Sequence, residues 1–173
     1  KRKMPDLADL FPGFASEWIN TKLGRIFARI GGEGAPLVPL HGYPQTHVCW
    51  HRVAPLLAKH YTVICADLRG FGDSSKPASD PNHLTYSKRM LAKDQVEMMQ
   101  ELGFSSFSVV GHDRGARVAH RMALDFPGKI TKLALLDIVP TSFAFANVNK
   151  EVATNAFNWF FSIQDDQLPE RLI

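Results

Sequence analysis

The sequence predicts a layered α/β fold built on a mostly parallel sheet flanked by helices. Short apolar, β-like runs alternate with stretches of helical spacing. No internal repeat or low-complexity tract interrupts that alternation. With 173 residues, 45% of them hydrophobic, the chain has enough apolar material for one core.

Taken in order, GRIFARIGG (24–32) and PLVPLHG (36–42) read as strands, and WHRVAPLLAKH (50–60) has helical spacing. YTVICADLRG (61–70) is the next strand. YSKRMLAKDQVEMMQELG (86–103) sets charges between apolar residues at helical spacing and ends on glycine, which predicts a surface helix. FSVVG (107–111) predicts a buried strand. Arg114 to Phe126 predicts a helix with Ala119, Met122, Ala123 and Phe126 on one stripe, stopped by Pro127 and Gly128. KLALLDIVP (132–140) is a further strand. Beyond Pro140 the chain turns rich in aromatics and Asn, with helical stretches and no later strand. The expected division is therefore a core part over 1–140 and the start of a helical cap over 141–173.

Lys plus Arg exceed Asp plus Glu by three, and Lys1, Arg2 and Lys3 account for that excess, so no nucleic-acid partner is indicated. Cys49 and Cys65 offer neither zinc spacing nor a disulfide framework, which fits a reducing compartment. No signal-peptide pattern and no apolar stretch of roughly 18 residues is present. The expectation is a soluble cytoplasmic protein with no membrane partner, no metal and no cofactor.

The chemistry concentrates at Gly111-His112-Asp113-Arg114-Gly115. Small residues two before and two after a central side chain permit a tight strand-to-helix turn, which lifts that side chain off the sheet beside helix N–H groups. A strand-end aspartate is also a common turn residue or cap, and that reading stays open for Asp113. As a nucleophile, aspartate differs from serine because a carboxylate is already ionised at neutral pH and needs no base for attack. It suits displacement at a saturated carbon, with carbon–halogen bonds and epoxides as targets. Arg114 and Arg117 place positive charge where the helix dipole is already positive, so an anion should compensate them. A substrate carboxylate would do so by bidentate pairing. The alternative is a solvated basic stripe that continues to Arg121.

MPDLADLFPGF, HGYPQTH, DLRGFGDSSKP, GHDRGARVAHRMALD and LLDIVPT resemble the haloacetate dehalogenases, fluoroacetate dehalogenase among them, of the α/β-hydrolase fold. The GHDRGAR element is the specific part, since related epoxide hydrolases usually carry an aromatic residue at the position of Arg114. The resemblance implies that Asp113 displaces halide from the α-carbon while Arg114 and Arg117 clamp the substrate carboxylate. It implies that HGYP forms the oxyanion loop, with the backbone N–H groups of Tyr43 and Arg114 facing the oxyanion, and that His41 is structural. Asp137 corresponds to the acid that orients the catalytic histidine, or else caps a strand-end loop. Trp159 matches the halide-binding tryptophan; a buried cap aromatic is the other reading of it. Asn158 stands where fluoroacetate dehalogenases have histidine, so chloroacetate or bromoacetate is the expected substrate rather than fluoroacetate. Asp67, Arg69 and Asp73 belong to a loop read as structural.

The resemblance places the catalytic histidine after the last strand of a longer chain, and none of the seven histidines here takes that role. It also implies absent C-terminal strands, leaving the strand that ends at Asp137 as an exposed edge. The remaining C-terminal part of the same enzyme is therefore an expected partner. A homodimer is expected as well, since homodimers are usual in that family. The leading function is hydrolysis of a 2-haloacetate to glycolate and halide through an aspartyl ester. An epoxide hydrolase with the same nucleophile and a non-catalytic binding protein of the same fold are the alternatives.

Overall fold

The computed structural model describes residues 9–172, so Lys1, Arg2 and Lys3 and the start of MPDLADLFPGF lie outside the described residues. The sheet begins with an antiparallel hairpin, β1 (Ala15–Thr21) and β2 (Gly24–Gly31), joined across Lys22 and Leu23. β1 had no counterpart among the predicted strands. Only Ile19 within it is buried, so its sequence lacks the apolar alternation that would announce a strand. Pairing along its whole length with β2, and packing of Trp18 on Phe27 at 4.8 Å between ring centroids, hold it instead.

β3 (Ala35–Leu40) and β4 (Tyr61–Ala66) follow, and both end earlier than the apolar runs suggest. After Leu40 and Ala66 the chain leaves the sheet and becomes the loops that carry His41–Gly42 and Asp67–Gly70. The expected helix over 50–60 is a 3-10 turn, His47–Trp50, followed by the short α1 (Ala54–Leu57). Pro55 explains the break: it lacks an N–H, fits only the first helical turn, and so fixes where α1 starts.

α2 (Lys88–Glu101) starts where the Ser87 hydroxyl accepts the Met90 N–H at 3.3 Å. β5 (Phe107–His112), α3 (Arg114–Asp125) and β6 (Ile130–Leu136) complete a β-α-β unit. The buried stripe of α3 is Gly115, Ala116, Val118, Ala119 and Met122, with Ala123 and Phe126 only partly covered.

The six strands lie in the order β1-β2-β4-β3-β5-β6, antiparallel from β1 through β2 to β4 and parallel from there on. The sheet is covered on both faces. Along β4, Ile64 and Ala66 join the core that includes Leu91, Met98, Met99, Val118 and Met122 from α2 and α3. Val63 and Cys65 point the other way, into a core with Phe11, Trp50 and Ala54. β6 behaves differently: it pairs with β5 over its length, yet Leu133, Leu135 and Leu136 are each more than a third exposed.

Packing divides the chain into one unit through Ile138 and another from Val139. The second unit holds α4 (Thr141–Ala146), α5 (Lys150–Asn155), α6 (Phe157–Phe161) and α7 (Leu168–Leu172). Asn149 caps α5 by accepting the Val152 N–H at 2.9 Å. Phe157 stacks on Phe161 at 5.8 Å between centroids, and Phe145 lies 6.5 Å from both Trp159 and Phe160. Among the described residues no helix is long and apolar enough to cross a membrane.

Candidate active site

Asp113 sits between the end of β5 and the start of α3 with φ 49° and ψ −119°. A non-glycine residue pays about 1–3 kcal/mol for such a backbone conformation, so its surroundings must hold it there. They do so by close approach. A Cβ on Gly115 would stand 2.3 Å from the His41 carbonyl oxygen, and one on Gly111 would stand 2.5 Å from the Ala116 Cα. Neither position has room for a side chain, which is why small residues flank the aspartate by two on each side. The Asp113 N–H donates to the Leu136 carbonyl at 3.2 Å, and the Arg117 N–H to the Asp113 carbonyl at 3.2 Å.

The Asp113 side chain points to the loop after β3. The Tyr43 N–H donates to Asp113 Oδ1 at 2.8 Å. This bond makes the two carboxylate oxygens unequal, since the backbone donor engages Oδ1. The Tyr43–Pro44 peptide is cis, and the loop closes on itself through the Gln45 N–H to Gly42 carbonyl bond at 3.0 Å. Arg114 lies over the Tyr43 ring, 4.8 Å from its centroid. Arg117 follows on α3 and is partly buried. Burial pulls its pKa down; the Asp113 charge opposes that shift and the Arg114 charge adds to it. As a guanidinium it remains a cation throughout the ordinary pH range.

Beneath the loop lies a fully buried histidine and a buried carboxylate. His41 Nε2 accepts the Leu68 N–H at 3.0 Å, so Nδ1 carries the proton and donates to the Gly42 carbonyl at 2.8 Å. Both ring nitrogens are thus spent on tying the end of β3 to the end of β4. Burial also pushes the His41 pKa down, which keeps the ring neutral. Burial alone would raise the Asp67 carboxyl. The His47 ring at 2.9 Å, the His47 N–H at 2.6 Å and the Asp73 N–H at 2.9 Å outweigh it and hold the group below the usual carboxylate range. Arg69 pairs with Asp94 inside the core and donates to the Thr85 carbonyl at 2.7 Å.

Asp137 follows β6 with φ 58° and an 84% exposed side chain. His112 Nε2 lies 3.7 Å from its Oδ2, and His112 Nδ1 is 3.1 Å from Gln45 Oε1. The structure thus brings Asp113, Tyr43, Arg114, Arg117 and Asp137 to one end of the parallel strands. Asn158 and Trp159 lie on α6 in the second unit. Among the described residues no group of three His, Cys, Asp or Glu side chains could hold a metal ion. Burial pushes the Cys49 thiol up to about 11 and raises Cys65 as well, so neither supplies a thiolate nucleophile.

Two neighbours of the aspartate escaped the sequence reading. Gln45 accepts the Gly42 N–H at 3.3 Å and contacts His112, joining the loop after β3 to the residue before Asp113. No sequence pattern marks such a long-range contact. Lys88 opens α2 close enough to Arg114, Arg117 and Asp113 to feel their charges. A signal for it did exist: like Arg114, it is a basic residue at the start of a helix, against the dipole.

The α/β-hydrolase-fold family matches residues 35–168. Fluoroacetate dehalogenase from Burkholderia sp. is 49% identical over 164 residues, 95% of this chain and 54% of its own length. The soluble epoxide hydrolase of Corynebacterium sp. (strain C12) is 43% identical over 109 residues, 63% of this chain and 36% of its length. A crystal structure of a Nostoc sp. PCC 7120 protein described as an α/β hydrolase superposes with a TM-score of 0.89 at 58% identity, covering 92% of this chain and 55% of that one. The chain spans about half the length of the dehalogenase and of the Nostoc protein.

Proposed function

The chain belongs to the α/β-hydrolase family, and from that premise we propose that it carries the nucleophile and the carboxylate clamp of a 2-haloacetate dehalogenase. One observation carries the reading. An aspartate occupies the strained elbow with one oxygen on a backbone N–H, and two arginines follow it in the first turn of α3. Likeness to the Burkholderia fluoroacetate dehalogenase supports the same substrate class.

In the first step Asp113 Oδ2 attacks the α-carbon of the haloacetate, the carbon–halogen bond breaks, and halide leaves with its electron pair. Asp113 becomes the ester, with Oδ1 as its carbonyl oxygen. Arg114 and Arg117 hold the substrate carboxylate so that the α-carbon faces Oδ2 in line with the departing halide. In the second step water adds to the Asp113 carbonyl carbon and negative charge gathers on Oδ1, where the Tyr43 N–H already donates. Collapse breaks the ester C–O bond, the departing alkoxide takes the proton left on the added hydroxyl to become glycolate, and the Asp113 carboxylate is restored. The water's proton passes to a histidine, oriented by Asp137, from the part of the relatives' length that these residues do not span. Chloride and bromide leave carbon more readily than fluoride, so chloroacetate is the substrate of choice.

The intact protein should release chloride from chloroacetate, Asp113→Asn should release none, and the neutral chloroacetamide should turn over far more slowly. Equal turnover of acid and amide would contradict the clamp. A second reading, an epoxide hydrolase, rests on the 43% identity to the Corynebacterium enzyme. Opening of styrene oxide by a protein that leaves chloroacetate untouched would select it.

A further inference from the structure

A cleft of about 310 Å³ opens beside Arg114, between the loop after β3, the loop after β4 and the start of α2. Tyr43, Phe71 and Tyr86 give it aromatic walls, and Lys76, Lys88 and Arg114 give it three cations; no carboxylate lines it. The three cations are not equivalent. Lys76 is exposed and bonds back to its own loop, at 3.2 Å from the Ser74 carbonyl. Arg114 rests on the Tyr43 ring.

Lys88 is different. It is partly buried, and among the described residues no carboxylate lies within ion-pair distance of its ammonium. Burial pushes its pKa down, the charges of Arg114 and Arg117 push it further, and only Asp113 opposes them. Neither α2 nor α3 carries an acidic residue in its first turn. Lys88 and Arg114 therefore bring two positive charges to one cleft, at the starts of two helices whose dipoles are also positive there. Stacking like charges at a half-buried position destabilises the fold unless an anion is meant to enter.

We propose that Lys88 is a substrate-binding residue, the third cation that receives a carboxylate from the cleft, so that the site selects organic monoanions whose apolar portion lies against Tyr43, Phe71 and Tyr86. This rests on the haloacid reading for its reaction but not for its binding. The lysine adds a point charge on a flexible stem where the guanidiniums add planar forks. It therefore draws the anion in, and the arginines orient it.

The test uses acetate, an unreactive carboxylate, titrated calorimetrically into the intact protein and its Lys88→Met, Lys88→Gln and Lys88→Arg variants, with thermal melts to show that each is folded. Both charge-removing variants should bind acetate roughly tenfold more weakly or worse, and Lys88→Arg within about threefold of the parent. Acetate binding by Lys88→Met or Lys88→Gln within about twofold of the parent would overturn the proposal. Chloride release from chloroacetate separates the two readings. A parent that turns chloroacetate over, with acetate affinity indifferent to Lys88, defeats the lysine alone. A parent that binds acetate through Lys88 but releases no halide defeats the dehalogenase and leaves the anion site standing.

Discussion

β5 and β6 are hydrogen-bonded neighbours, and each delivers an aspartate at its C-terminal end, yet the two ends are built differently. After β5, Asp113 is wedged between two positions with no room for a side chain, bonded to Tyr43 and followed by a helix buried along one face. After β6, Asp137 stands 84% exposed with His112 at 3.7 Å. Leu133, Leu135 and Leu136 of β6 are each more than a third exposed, whereas Phe107, Val109 and Gly111 of β5 are buried. Among the described residues the end at Asp113 is thus held by several contacts and the end at Asp137 by few. The proposed reaction requires both ends, since a nucleophile held in strain is useful only if the second step is equally well directed.

The sharpest way to break the contrast is at Gly115. A valine there would drive its Cβ into the His41 carbonyl, and the elbow should lose its geometry, with a stability cost of about 3 kcal/mol or more and no measurable halide release. Thermal melts and chloride assays check both. A valine that leaves melting and turnover intact would mean that the elbow is looser than its contacts indicate.

Arg117→Ala should come next in effect. It should lower kcat/KM for chloroacetate roughly 10- to 100-fold, about 1.4–2.7 kcal/mol of transition-state binding, and affect chloroacetamide much less. Equal losses on acid and amide would remove the arginine from the clamp.

Asp67→Asn tests the support beneath the loop. Leaving the His47 donors poorly matched in a buried place should cost about 1–3 kcal/mol. The folded-state pKa of Asp67 lies below its unfolded value, so its contribution is fully present above the ordinary carboxylate range and is lost as pH falls through the lowered value. Stability of the parent should accordingly fall more steeply than that of Asp67→Asn below about pH 4. Parallel pH profiles would show that the carboxylate is not what holds the loop.

The smallest effect is expected on β6. In the 173-residue chain Leu135→Asn should shift stability by only about 0.5 kcal/mol, because the side chain is already 36% exposed. A loss several times larger, read from urea unfolding, would mean that β6 is covered and that the contrast with β5 is false.

How much of this was legible beforehand depends on the range of the contact involved. The parallel strands and α2 and α3 follow from apolar runs and helical spacing, because their burial is strong and periodic. β1 was not legible, since its pairing with β2 rather than its own pattern makes it a strand. The helix over 50–60 was overextended, although Pro55 stood in it as a visible warning. At the site, the elbow is encoded within five consecutive residues and could be read directly. The Tyr43 N–H bond to Asp113 spans 70 residues and the His112 contact with Gln45 spans 67, so only the folded chain shows them. Lys88 falls between, visible as a misplaced charge but intelligible only once α2 and α3 are seen side by side.

In the proposed reaction Asp113 itself becomes the ester. The most direct measurement is the peptide mass map of the intact protein after reaction with chloroacetate in ¹⁸O-enriched water. The peptide holding Asp113 should carry either a carboxymethyl group, where the ester persists, or heavy oxygen in its carboxylate, where water has cleaved it. Chloride release with heavy oxygen only in glycolate, and an unchanged Asp113, would mean that water attacks the substrate directly and that Asp113 is not the nucleophile.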